Sequence, residues 1–350
     1  MAVKTIDSAG TDGGDEGMSS KVGMKVVFGA MTFGQKGAEA VRVSDLNEAA
    51  DMLDILQNHG HNEIDTARVY GASEEMLGDL NYLERGLVVG TKLAPKSMVK
   101  GPGIESYAHD KDGITRGLAD SLKALKNKKV DLWYLHMPDR GVPIADTLQA
   151  VNQMYKAGLF DRFGISSFAS WEVAQMCELC DRHGWKKPDV YQGAYNALQR
   201  GVEAELLPCL RFYNIAFYGF SPLAGGLLTD KYHQSMTEIE EGSRYDPNRL
   251  QGMNFRRRYW NDAYFSGLEM IRKAAQENNI GTAEATLRWT VHHSGMAVDE
   301  GDAVVLGANG PAQLERNLSL LENGPLPDEL VKTFDRAWEV AMHASPTYFR

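Results

Sequence analysis

The sequence predicts an α/β fold: a (β/α)8 TIM barrel with a long loop after its seventh strand and an extra carboxyl-terminal helix. Three observations carry that expectation. Short apolar, β-branched runs alternate with helical-period segments of a dozen or more residues. Eight such runs occur, each followed by a helical stretch, which suits a closed parallel barrel better than an open sheet. No Pro/Gly/Ser-rich linker interrupts residues 24–342.

In chain order the strands read KVVFGAM, NEIDTA, LVVGTKL, VDLWYLH, RFGISSF, DVYQGAY, AFYGFSP and AVVLGA. Between them lie helices such as DLNEAADMLDILQNHG, GITRGLADSLKALK, SWEVAQMCELCDRHG and DAYFSGLEMIRKAAQENN. The segment from about 231 to 260 reads as one long irregular loop after the seventh strand, of the kind that is usually functional or disordered. After the eighth unit comes a further helix, PDELVKTFDRAWEVAMHA, and the end SPTYFR. Residues 1–22 are polar, lack the apolar centre of a signal peptide, and read as a flexible lead-in to one domain over 23–350.

Composition removes several function classes. The formal charge of −10 argues against a nucleic-acid surface and against an anionic membrane. No apolar run is long enough to span a bilayer. Of three cysteines, Cys177 and Cys180 lie one helical turn apart and Cys209 is alone. Without a second ligand pair, CELC reads as packing thiols, which suits a reducing, cytoplasmic setting.

Barrel chemistry sits at the carboxyl ends of strands. The second strand ends in Asp65, with Tyr70 just past it; the third carries Lys92; the fourth ends in His136. The fifth ends in Ser166 and Ser167, and the sixth carries Gln192. One histidine at a strand end is commonly structural, and one lysine a rim charge. Polar residues on consecutive strands at one height are different, because a closed barrel brings them to one mouth. A phenol of pKa about 10 is a weak proton donor at neutral pH. A neighbouring ammonium lowers that pKa, and an aspartate would hold the lysine charged and aimed. A histidine can hydrogen-bond a carbonyl oxygen and set it against the phenol. The set suits protonation of an oxygen as negative charge develops on it. HExxH, GxSxG, Walker A and zinc-spaced His/Cys patterns are missing, and no GxGxxG follows the first strand. A hydride donor here would not be bound in a Rossmann manner.

IDTARVY, VVGTKL, YLHMPD, GISSF, VYQGAYNAL and FYGFSPLAGGLLTDKY, in this order and spacing, resemble the aldo-keto reductase superfamily. The match runs from about residue 24 to 350. SPLAGGLLTDKY, FRRRYW, QLERNL and the terminal YFR are most similar to its aflatoxin-aldehyde and succinic-semialdehyde reductase branch. The resemblance implies a barrel that uses NADPH to reduce aldehydes or ketones to alcohols.

By the same resemblance, Tyr70 would be the general acid, Lys92 its modulator, Asp65 the partner of Lys92, and His136 the residue that orients the carbonyl. Ser166 and Gln192 match positions that hold the nicotinamide carboxamide, and Ser167 stands where the family usually has Asn. Phe220 matches an aromatic that stacks on the nicotinamide. Met31 and Thr32 match positions beside it. Ser221, Pro222, Leu223, Gly225, Gly226, Leu227 and Lys231 lie in a segment resembling the pyrophosphate loop, although a GG pair alone is only a flexible turn. At the adenosine end Gly307, Asn309, Gln313 and Asn317 match cofactor contacts. Asn309 and Gly310 stand where serines are usual, Pro311 suits a first helical turn, and Arg244 matches an arginine near the adenine ribose phosphate.

For the substrate, Arg258 and Arg350 match branch positions that would suit an anionic group, while Arg256 and Arg257 read as solvated. Phe255 replaces a usual tyrosine and favours a more apolar carbonyl compound. Trp133, Met137 and Tyr195 are equally suited to the mouth and to core packing. A homodimer would suit the branch, but no sequence feature demands one. Two other classes stay open: a cofactor-sensing regulatory subunit with little turnover, and a biosynthetic reductase or dehydratase with a narrow aromatic substrate.

Overall fold

The computed structural model describes residues 23–98 and 105–350; the lead-in over 1–22 lies outside them. Its elements run β1 (Lys25–Gly29), α1 (Leu46–Asn58), β2 (Glu63–Asp65), α2 (Ser73–Asp79), β3 (Val88–Leu93), α3 (Lys111–Ala124) and β4 (Val130–Leu135). Next come α4 (Ile144–Lys156), β5 (Phe160–Ser166), α5 (Ser170–His183), β6 (Val190–Ala194), α6 (Leu206–Phe212) and β7 (Ala216–Phe220). Three helices follow, α7 (Leu250–Tyr259), α8 (Asp262–Glu277) and α9 (Thr282–His292), before β8 (Ala303–Leu306), α10 (Pro311–Leu321) and α11 (Asp328–Ala341). The strands close in sequence order into a parallel barrel, with β1 pairing both β2 and β8.

Helices such as α1 turn an apolar stripe inward. In α1 the buried residues Ala49, Met52, Leu53 and Leu56 fall on one face, and Asp45 caps its amino end by accepting from the N–H groups of Asn47 and Glu48. Burying each such leucine stabilises by roughly 2 kcal/mol. Inside, Val27, Leu132, Tyr134, Val190, Tyr218, Ala303 and Val305 fill the barrel. Tyr134 fits because β5 has Gly164 beside it: a Cβ there would stand 2.1 Å from the Tyr134 ring. Below this layer, at the amino ends of the strands, Arg162 and Lys25 pair with Glu63 and both donate to the Tyr218 hydroxyl. That network plugs the bottom and leaves the carboxyl mouth for a ligand.

One expectation fails. The segment 231–260 is not irregular throughout: Leu250–Tyr259 is α7, and FRRRY lies on it. Tertiary packing makes this helix. Gly252 is pressed on the Asp246 carbonyl, where a Cβ would come within 1.9 Å, and Tyr259 is fully buried. Among the described residues no helix is long and apolar enough to cross a membrane. The three cysteines are unpaired, with Cys177 and Cys180 buried and their thiols pushed up to about 12, by burial first.

Candidate active site

The loop from β2 into α2 carries Tyr70, and both of its sides are fastened. On one side Thr66 Oγ1 donates to Ser73 Oγ, whose hydroxyl donates to the Ala30 carbonyl, each at 2.8 Å. On the other, the Arg68 N–H donates to the Lys92 carbonyl at 3.0 Å. The Arg68 guanidinium pairs with Glu74 and, at 2.9 Å, with Glu75. Glu74 is fully buried and accepts from Thr91 Oγ1 at 2.5 Å. Buried polar groups satisfied on every side rigidify a loop.

Beneath Tyr70, Lys92 is fully buried. Its Nζ donates to Asp65 Oδ2 at 2.6 Å and to the Thr66 carbonyl at 2.7 Å. Gln192 Nε2 donates to Asp65 Oδ1 at 2.7 Å. The ammonium lies 5.2 Å from the Tyr70 ring centroid and 5.6 Å from that of Tyr134. His136 meets Tyr70 edge-on, with ring centroids 5.7 Å apart at 81°. Burial pushes Asp65 up and Lys92 down, and each draws the other back. Burial also drives His136 well below its ordinary value, with Lys92 and His109 adding to it, so the imidazole is neutral. Its Nδ1 is buried without a partner.

The expected lowering of the phenol is not found. Burial, then Asp65, raise the Tyr70 pKa, and only Arg244 opposes them. The reason is geometric: Lys92 stands over the face of the ring and spends its hydrogen bonds on Asp65 and Thr66. Tyr70 is therefore protonated at neutral pH.

A cleft of about 350 Å³ opens at the carboxyl ends of the strands. Asp65, Tyr70 and His136 line its floor; Ser166, Ser167 and Gln192 line it at the ends of β5 and β6. After β7 come Phe220, Ser221, Pro222 and Leu223, then Gly225 and Gly226. Gly225 has φ +67°, and a Cβ on it would stand 2.4 Å from the Phe255 ring, so only glycine fits. Gly307, Asn309, Gln313 and Asn317 close the β8 end. Met31, Phe255, Arg258 and Arg350 line it too, and the Arg350 N–H donates to the Ser167 carbonyl at 3.0 Å, which brings the chain end to the mouth.

Three expected cofactor contacts lie outside the lining of the cleft. Thr32 is buried and donates to the Ala308 carbonyl at 2.9 Å, fastening β1 to β8 instead of facing the cleft. Leu227 is fully buried in the core, and Lys231 is exposed and paired with Glu240. Arg244 lines the cleft beside Met31 and Phe255: its Nη1 is 3.6 Å from the Met31 sulfur, and its guanidinium 5.8 Å from the Phe255 ring centroid. Burial first, then Arg42, pull it down to about 10. Of the mouth candidates only Met137 lines the cleft; Trp133 stacks on Phe160, and Tyr195 donates to Glu203. Met98, Thr229 and Val305 line it as well and carry no chemical signal in the sequence. Arg68 and Glu74 had one, an unlike charge pair flanking Tyr70.

A parallel barrel with a phenol, a buried lysine–carboxylate pair and an imidazole gathered at its carboxyl mouth has the equipment of a barrel enzyme that moves a proton onto a bound oxygen. The aldo/keto reductase family model matches residues 25–339. An aldo-keto reductase of Pseudocercospora fijiensis is 54% identical over 300 residues, covering 85% of this chain and 100% of that protein. The aldo-keto reductase pigE of Monascus ruber is 42% identical over 327 residues, 92% and 96% of the two chains. Human aflatoxin B1 aldehyde reductase member 2 is 39% identical over 331 residues, 93% and 89% of the two. The chain belongs to the aldo/keto reductase family. It is an oxidoreductase that reduces carbonyl compounds, on the branch that the sequence resembles.

Proposed function

We propose that the chain reduces an aldehyde or ketone to the alcohol with NADPH as electron donor and Tyr70 as proton source. The observation that supports this most is the Lys92–Asp65 pair, 2.6 Å apart and buried, fixed under a protonated Tyr70 with His136 at its edge. The cleft fits a dinucleotide on three counts. Gly225 and Gly226 line it without side chains, Asn317 Nδ2 is buried without a partner, and α10 presents its amino end. When bound, NADPH supplies a hydride to the carbonyl carbon.

The remaining work falls to side chains. Neutral His136 hydrogen-bonds the carbonyl oxygen and holds it against the phenol. An alkoxide is a stronger base than a phenolate, so even a raised Tyr70 gives up its proton to the oxygen as charge develops there. The Lys92 ammonium then stabilises the phenolate left behind, and Asp65 keeps that ammonium aimed. Ser166 and Gln192 would hold an amide, and Phe220 offers a ring face. Phe255 has no hydroxyl, and an apolar carbonyl compound, foremost an aldehyde, is the substrate class it favours. Three unpaired thiols suit a cytoplasmic protein.

The test is the decay of NADPH absorbance at neutral pH with succinic semialdehyde, a nitrobenzaldehyde, a 1,2-diketone and a bulky aromatic ketone. Aromatic compounds are expected to turn over best. Tyr70→Phe should bind NADPH as before and lose turnover by about 10²–10⁴-fold, the span of one proton donor. An unchanged rate removes Tyr70 from the mechanism. Silence across the panel with cofactor bound favours a sensing subunit or a narrow biosynthetic substrate.

A further inference from the structure

The β8 end of the cleft rests on α10. Its first turn offers backbone N–H groups and the positive end of the helix dipole. Gly310, the N-cap, brings no side chain to them. The Asn309 N–H is already taken by Gln313 Oε1 at 2.7 Å. One turn on, Asn317 is 3% exposed, lines the cleft, and leaves Nδ2 without a partner. An unsatisfied buried amide of this kind calls for a ligand acceptor.

Beside this end, next to the N-cap of α10 and outside the residues that line the cleft, stands an acid from another helix. α1 packs along α10, and Glu48 Oε1 stands 3.2 Å from where a Cβ on Gly310 would sit. The other acid nearby, Asp45, is occupied by its own helix, accepting from Asn47 N at 2.8 Å and Glu48 N at 3.0 Å. Among the described residues no lysine lines the cleft. Its arginines, Arg244, Arg258 and Arg350, come from the segment after β7 and from the chain end, and Arg316 on α10 is exposed outside it.

We propose that Glu48 is a coenzyme-specificity residue, which weakens the hold on the 2′-phosphate of NADPH and accepts a hydrogen bond from the 2′-hydroxyl of NADH, so that this chain takes both. The inference rests on the reading that the cleft holds the dinucleotide. A carboxylate at the amino end of α10 takes the position where that helix would favour an anion, and it repels a phosphate that comes there. A ribose hydroxyl is a donor and meets the same carboxylate as a partner; an acid reading a ribose hydroxyl is how other nucleotide folds prefer NAD. Repulsion between a carboxylate and a doubly charged phosphate a few ångströms apart, in a half-exposed site, amounts to about tenfold in affinity.

The probes are adenosine 2′,5′-bisphosphate and AMP, bound to the full chain and measured by calorimetry without turnover. The quantity read is the ratio of their dissociation constants. The wild type should favour the bisphosphate by less than about tenfold, and Glu48→Gln should raise that preference by about tenfold, mostly by tightening the bisphosphate. Glu48→Ala should move it the same way. A wild-type preference above about a hundredfold overturns the inference without any variant. So does a ratio that both variants leave unchanged or lower. If neither nucleotide competes with NADPH for the wild-type protein, the cofactor reading of the cleft falls, and this inference with it. Ordinary binding of both with an unmoved ratio sinks the role of Glu48 alone.

Discussion

Lys92→Met separates what the buried ion pair does for the fold from what it does for the chemistry. The substitution keeps the apolar stem of the side chain and removes the ammonium, which is fully buried. Asp65, 5% exposed, then keeps only the Gln192 amide as a partner. Stranding a buried charge in this way costs about 3–5 kcal/mol. Its pH dependence follows from the direction of the Asp65 shift. Burial holds its carboxyl above the unfolded value, and losing Lys92 raises it further. The stability tied to that group is thus present below the unfolded pKa, about 3.9, and lost as pH rises. Lys92→Met should be nearly as stable as wild type at pH 4 and weakest at pH 7. Adding Asp65→Asn removes the stranded charge, and the double variant should recover about 2 kcal/mol over Lys92→Met at pH 7. Catalysis behaves otherwise, because neither variant can stabilise a Tyr70 phenolate, and both should lose reductase activity. Urea unfolding followed by tryptophan fluorescence gives the first quantity, and NADPH oxidation the second. A Lys92→Met penalty under about 1 kcal/mol, or a double variant no more stable than the single, refutes the buried-pair reasoning.

Three further outcomes follow from the same geometry. Glu74→Gln leaves the Arg68 guanidinium underpaired and loosens the Tyr70 loop, so kcat should fall by about tenfold while NADPH affinity is kept. Glu74→Asp should recover part of the rate, and equal losses in both quantities would mean a general structural defect. His61 and His109 are held down at about 4 by burial, the first 5% and the second 1% exposed. The unfolded chain takes up protons at these sites below about pH 6.5 while the folded one does not, so stability is full above that pH. It falls by up to about 3 kcal/mol per histidine as pH drops to 4; urea midpoints at pH 7 and pH 4.5 check it, and His109→Gln should flatten the fall. Arg350→Met should raise KM for a carboxylated aldehyde by about tenfold and leave an uncharged one alone. Equal changes for both substrates would deny that Arg350 reads charge.

How much of this was legible in the chain depends on how far apart its causes lie. Each parallel strand is buried on both faces and reads as an apolar run, so all eight were visible, and their polar ends followed. Asp65, Tyr70, Lys92 and His136 needed only the rule that a closed barrel brings strand ends to one mouth. Arg244 needed more. The chain shows that it follows β7 but not how the segment folds back, and it ends beside Met31, 213 residues away. α7 was hidden for a like reason: Gly252 and three consecutive arginines give no amphipathic period, and its helix is held by the burial of Tyr259 and the close approach to Asp246. The direction of the Tyr70 shift was misjudged because bringing a lysine to the same barrel mouth does not say which atoms it faces. Glu48 is the extreme case. It meets Gly310 only because β1 pairs with β8, which sets α1 against α10 across the barrel's seam. Strand and helix patterns repeat along the chain, whereas the seam joins its two ends. The floor of the cleft is therefore written into local motifs, and the residue proposed to choose the coenzyme is written only into the closure of the barrel.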